Sequence, residues 1–317
     1  MKEHQEDEKV DFARSFQIRY IKLHFKIEFL EDTVLPKHKV STLRGGVGEM
    51  LLRANCVRDR KCEICDFKTE CLVQRTMYSQ FEIKPEFVTT GESVGYVYEC
   101  TNYREQFRAG DRLEFNLLLL GKTIVYFNQY MQAICALGQQ GIGKHHSRFQ
   151  VVEVKNSRLQ PMLSGNTLDM SKYEILTVAD YVEHRMKQLE QKERQNRLVF
   201  DTPLTLKYQG EFLNQFRTEA LFASADRRIY MLDCFEGIEN DCNGSVAEPL
   251  NILHQECRLQ GVERYSGRKG EHMTLRGIIG SVDTEPMSDY QTRLLLAGEL
   301  LHIGKNTSFG FGHYRVL

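Results

Sequence analysis

The chain has 317 residues, 41% of them hydrophobic, enough to core about two domains. Its 42 Lys and Arg against 43 Asp and Glu leave a net charge of -1, so no global basic field gathers nucleic acid and any such binding must rest on local patches. No apolar run approaches the roughly 18–20 residues of a membrane span, and the opening MKEHQEDEKVDFAR is too acidic and polar for an export signal, which predicts a cytoplasmic protein with residues 1–15 as a flexible acidic tail.

The first predicted element, Tyr20 to Phe29, alternates strictly. Ile21, Leu23, Phe25, Ile27 and Phe29 face one way, and Lys22, His24, Lys26 and Glu28 the other, the pattern of a half-buried strand. A helix follows with Leu43, Val47, Leu51 and Ala54 on one stripe; its Gly45, Gly46 and Gly48 are poor helix formers and imply close approach to another backbone or a ligand. Next comes Cys56-x5-Cys62-x2-Cys65-x5-Cys71. Four thiolates can close a tetrahedral zinc site, and the charged residues around them argue against buried packing thiols, so a structural zinc held by Cys56, Cys62, Cys65 and Cys71 is expected. RLEFNLLLL reads as a strand, TIVYFNQYMQAICAL as an amphipathic helix, and a G-x-G loop then leads into the strand QVVEV.

The second half repeats that order. LVFDTPLTLKY opens it as a strand, a helix runs around Phe216 to Phe235, and EHMTLRGIIGSV precedes a last helix, a Gly-rich loop and the strand HYRV. Gly141-Ile142-Gly143-Lys144-His145 and Gly310-Phe311-Gly312-His313 close the two halves alike, which indicates an internal duplication. Strand, helix, two strands, helix and strand in each half predicts an α+β architecture of two tandem ferredoxin-like domains, 16–198 with a small cysteine-rich insertion and 199–317 with the Gly-rich loop. The charged, partly helical residues 172–198 lie at the boundary.

Taken together, LPKHKVSTLRGGVGEMLLRANC, FDTPLTLKYQG, RYSGRKGEHMTLRGIIGSV and LHIGKNTSFGFGHYRV resemble the repeat-processing CRISPR endoribonucleases of the RAMP superfamily, in the subgroup with a cysteine cluster after the first helix. The resemblance covers residues 16–157 and 199–317. It implies an enzyme that cuts CRISPR repeat RNA into guide RNAs without a catalytic metal, leaving a 2′,3′-cyclic phosphate and a 5′-OH, with other CRISPR effector subunits as further partners and no membrane. A sister role, a non-catalytic subunit that holds guide RNA, shares the fold and the loop. A zinc-stabilised nucleic-acid-binding module with no CRISPR role is the third reading.

Self-cleavage of RNA needs a base for the 2′-OH, an acid for the 5′-oxygen and cations for the phosphorane. The family places its histidine between the first strand and first helix, which points to His38 with Lys39 beside it; His302, before the terminal loop, is the runner-up. Successive amides in that loop can form an anion-binding concavity, so Gly304, Lys305, Asn306, Thr307, Ser308, Gly310 and Gly312 are expected at RNA, together with Arg44, Lys144, His145, Arg264 and Arg268.

Overall fold

A computed structural model describes residues 16–81, 84–88, 93–164, 167–191, 195–238, 247–266 and 271–317. The acidic tail, Arg268 and Lys269 lie outside them. Each half is a ferredoxin-like unit with both helices on one side of an antiparallel sheet.

In the first unit the order is β1 (Arg19–Phe29), α1 (Val40–Asn55), α2 (Leu72–Met77), β2 (Tyr96–Glu99), β3 (Arg112–Leu120), α3 (Phe127–Gln140) and β4 (Phe149–Lys155). The sheet runs β2-β3-β1-β4, all antiparallel. The alternating residues of β1 do what their period dictates: Ile21, Leu23, Phe25, Ile27 and Phe29 are all buried in the core under α1 and α3. The glycines of α1 answer to side chains of its neighbours. A Cβ at Gly46 would meet Leu137 of α3 at 2.7 Å, and one at Gly48 would meet Met77 at 2.8 Å.

The run Leu117–Leu120 in β3 is buried without interruption. Continuous apolar sequence in a strand means both faces are covered. Leu117 and Leu119 join the core under α1 and α3, while Leu118 and Leu120 join a second core that belongs mainly to the other half of the chain.

That half contains β5 (Arg197–Leu204), α5 (Thr218–Glu236), β6 (Ile252–Ser266), β7 (Glu271–Thr284), α6 (Asp289–Leu301) and β8 (Tyr314–Val316), with sheet order β6-β7-β5-β8. Between the halves, α4 (Val178–Glu190) starts at a capping box of Thr177 and Asp180 and lays Val178, Val182, Met186 and Leu189 into the second core. It is pinned by Glu299 of α6, which accepts from Tyr181 Oη at 2.6 Å and from Arg185 Nε at 2.8 Å. Arg228 of α5 reaches the carbonyl of Val94 in the first unit at 3.2 Å. The two units therefore share one apolar core, and the cleft described next lies at its margin. Among the described residues no helix is long and apolar enough to cross a membrane.

Candidate active site

The cleft has a volume of about 490 Å³ and is walled by both units. The first unit supplies Lys22 and His24 from β1, His38 before α1, Glu99 at the end of β2 and Asn116 from β3; the second supplies Asp201 from β5, and His302, Phe309, Gly310, Phe311 and His313 from the terminal loop. Sequence positions nearly three hundred residues apart thus meet on one surface.

His38 is half-buried. Its ring meets Tyr103 edge-on, with centroids 5.3 Å apart. Burial, then the adjacent Lys37 and Lys39, push its pKa below the ordinary 6.5, so the ring is neutral at pH 7 and has a lone pair to accept a proton. Lys39 is placed differently from expectation. It is fully buried, and its ammonium donates to the backbone carbonyl of Asn102 at 2.8 Å and to that of Lys37 at 3.4 Å. It fastens the loop that carries His38 and does not line the cleft.

His302 is fully buried as well. It follows α6 with φ of 58°, a left-handed conformation that a histidine holds only under constraint. Its Nδ1 lies 3.0 Å from the Phe311 carbonyl and its Nε2 lies 3.2 Å from Glu99 Oε1. Lys22 Nζ and Asn116 Nδ2 also donate to Glu99, at 2.9 and 2.8 Å. Burial alone would raise the Glu99 pKa, but Lys22, His302 and His313 outweigh it and hold the carboxyl well below its usual range. His302 is thereby held at both ring nitrogens. It joins the units and is not free to shuttle a proton. Sequence reading missed Glu99, Lys22 and His313. His313 stands 5.1 Å from His302, ring to ring, and its pKa falls to about 4 through burial and then the charge of His302.

The Gly-rich loop is folded into the protein. Gly304 N donates to Ser224 Oγ, Lys305 N to the Thr205 carbonyl, Phe309 N to Asn306, Gly310 N to Thr307 and Gly312 N to Pro203. Those amides are committed, so they form no open anion nest, and Thr307 and Ser308 are buried. The glycines serve close approach. At Gly310 (φ +76°) a Cβ would meet the Tyr98 carbonyl of the first unit at 2.7 Å, and at Gly312 (φ +71°) it would meet the Ile303 carbonyl at 1.8 Å. Lys305 remains exposed over the Phe212 ring. Arg44 from α1 and Arg264 from β6 each stack on Phe309, with guanidinium carbons 4.3 Å from its centroid. Lys144 and His145 are exposed on the loop between α3 and β4, outside the cleft lining.

The four cysteines line a separate concavity of about 510 Å³ between the end of α1 and the start of α2, and the Arg60 amide donates to Cys56 Sγ at 3.2 Å. Their spacing gathers them, but no three of the sulfurs lie within 4.8 Å of one another.

Comparison with known proteins agrees with this architecture. Residues 17–175 match the model of the AF_1859_N N-terminal domain, and residues 198–314 match that of the CRISPR-associated endoribonuclease Cas6. No curated protein matches the sequence. Among solved structures, the partial Cas6-RT-Cas1–Cas2 complex superposes with a TM-score of 0.56 at 9% identity over 95% of this chain, which spans 46% of that larger chain. The full Cas6-RT-Cas1–Cas2 complex gives the same score, and this chain spans 29% of it. A Thermus thermophilus Cas6 product complex gives 0.50 at 12% identity, covering 95% of this chain and 99% of that one. At such identities the superpositions establish the shared fold, two ferredoxin-like units in tandem. With residues 198–314 matched by the Cas6 model and the chain sharing the fold of solved Cas6 structures, the second half of the chain belongs to the Cas6 family of CRISPR-associated endoribonucleases.

Proposed function

We propose that this chain cuts CRISPR precursor RNA within its repeats, by attack of the RNA's own 2′-OH, to release guide RNAs. The observation that carries the reading is His38. Its neutral half-buried ring lines a cleft between the units that also presents Lys22 and the terminal loop. His38 takes the 2′-hydroxyl proton as the 2′-oxygen bonds to the adjacent phosphorus. The bond from phosphorus to the 5′-oxygen breaks, and that oxygen takes a proton from solvent. The products are a 2′,3′-cyclic phosphate and a 5′-OH. The nucleophile belongs to the substrate, so the reaction requires no metal-activated water. With its repeat RNA, the purified protein should cleave in excess EDTA, and one 2′-deoxy substitution before the scissile phosphate should stop cleavage while binding survives. Binding without cleavage would replace this reading with the guide-RNA-holding subunit. The Cas6-RT-Cas1–Cas2 complex of a structural neighbour supports association with other CRISPR proteins as a further proposal.

RNA is held by local cations: Lys305, exposed on the terminal loop, and Arg44 and Arg264 around Phe309. Lys305→Ala should weaken RNA binding and lower the slope of log affinity against log salt by roughly 0.7–0.9, the share of one phosphate contact. An unchanged slope places that contact elsewhere.

The cysteine concavity would hold one structural zinc, with Cys56, Cys62, Cys65 and Cys71 drawn together as ligands. Bound metal would supply folding free energy by tying the end of α1 to α2. Replacing Cys62 and Cys65 together with Ser should remove about one zinc per chain, read by elemental analysis, and lower the melting temperature. An equally stable, metal-free wild-type protein refutes the site.

A further inference from the structure

We propose that Glu99, His302 and His313 form a second metal site, for a divalent transition ion such as zinc or cobalt, that bridges the two units at the floor of the cleft. Among the described residues this is the one trio of His, Cys, Asp or Glu whose candidate ligand atoms all lie within 4.8 Å of one another.

The hydrogen-bond geometry makes the case. The Phe311 carbonyl fixes the proton of His302 on Nδ1, the outer-shell arrangement that metal-ligating histidines use to aim the other nitrogen. His302 Nε2 then points at Glu99 Oε1 from 3.2 Å. A divalent ion fits between these two atoms, since ligand arms of about 2.0–2.1 Å set tetrahedral ligands about 3.3 Å apart. The third ligand is already provided. His313 Nδ1 is buried and has no hydrogen-bond partner among the described residues, and its ring stands 5.1 Å from that of His302. A small turn of the less buried His313 closes the set. Asp201 Oδ2, 3.8 Å from His313 Nδ1, or a cleft water completes four-coordination.

Two imidazoles and one carboxylate suit zinc, cobalt, nickel and copper and give magnesium or calcium little hold. Lys22 is the competitor. Its ammonium contacts both Glu99 oxygens, at 2.9 and 2.8 Å, and on metal binding it keeps Oε2 with Asn116 while Oε1 turns to the ion. The inference does not depend on the activity proposed above, because it is read by metal binding alone.

Cobalt titration of the full-length protein tests it. The expected result is one equivalent with visible d–d absorption of nitrogen and oxygen ligands, in addition to any near-ultraviolet thiolate charge-transfer band from the cysteine concavity. His313→Ala should weaken this cobalt binding at least tenfold while its metal-free melting curve stays close to wild type. Glu99→Gln, at the same volume, should weaken cobalt binding likewise, with a lower metal-free melting temperature because the Lys22 ammonium loses its carboxylate. If cobalt gives only thiolate bands, or if both variants bind it like wild type, the site does not exist.

Discussion

Replacing His38 with Ala should slow cleavage of repeat RNA by about 100- to 10,000-fold, the usual worth of a positioned proton-transfer group. RNA affinity should change little, because His38 touches Tyr103 edge-on and serves no fold-wide network. The pH profile adds a second readout. Burial first, then Lys37 and Lys39, depress the pKa of this histidine from 6.5, so it stays a competent base as the pH falls through the ordinary histidine range. The wild-type rate should therefore hold level down to about pH 6.5 and decline only below it, as the ring becomes protonated. In the Ala variant that inflection should vanish. A loss of less than tenfold would exonerate His38 and leave His313, the other cleft histidine with an unsatisfied ring nitrogen, as the proton carrier. The same loss from His302→Ala would be a positioning effect, since both His302 nitrogens are held, by Phe311 and by Glu99.

Removing the Glu99 carboxylate should cost stability on the scale of breaking a buried ion pair, about 3–5 kcal/mol. Glu99 neutralises Lys22 and is bound to His302, and its loss strands the Lys22 ammonium at the domain junction. Glu99→Ala should show this in urea or thermal melts run with chelator, and Lys22→Met in the same background should recover part of the loss by removing the stranded charge. A Glu99→Ala protein as stable as wild type would mean that water replaces the carboxylate. The sign of the pH effect follows from the depressed pKa. The stability that Glu99 contributes is fully present above the ordinary carboxyl value of 4.5 and is lost as the pH falls from there through the folded-state value.

The chain announces its scaffold where one face of an element is wet and the other dry. The alternation of β1, the boundaries of β3 and the approximate place of α5 were legible because burial follows a period of two or of 3.6. The strand β6 was not. Leu253 and Leu259 are exposed, Val262 is the one fully buried apolar side chain among its described residues, and its end pairs with β7 beyond the reach of β5, so no hydrophobic stripe marks it. The cleft was legible in part. His38 and His302 could be singled out by residue type and by place along the chain. Glu99 could not, because one carboxylate at a strand end carries no local signal; only the fold brings it to a histidine 203 positions away. Lys39 and the loop amides were misplaced for the converse reason. Their residue types fit RNA, but carbonyls hidden from the sequence already occupy them.

The outer face of the first sheet is sealed only in part: Lys22, His24 and Asn116 line the cleft, and Glu114 is exposed. Tyr96, Tyr98, Leu117 and Leu119 fill the space under its own helices, while Val97, Leu118 and Leu120 are sealed by the second unit. Folds of this shape often read single-stranded RNA by stacking bases on aromatic residues of an open sheet. Here Tyr96 and Tyr98 lie in the core, and the open part of the sheet carries charged and polar side chains instead. Excising residues 16–157 would lay bare the apolar patch around Val97, Leu118 and Leu120, and the fragment would aggregate rather than report on RNA. The seam, where both units supply the lining of the cleft, is thus what either half lacks by itself.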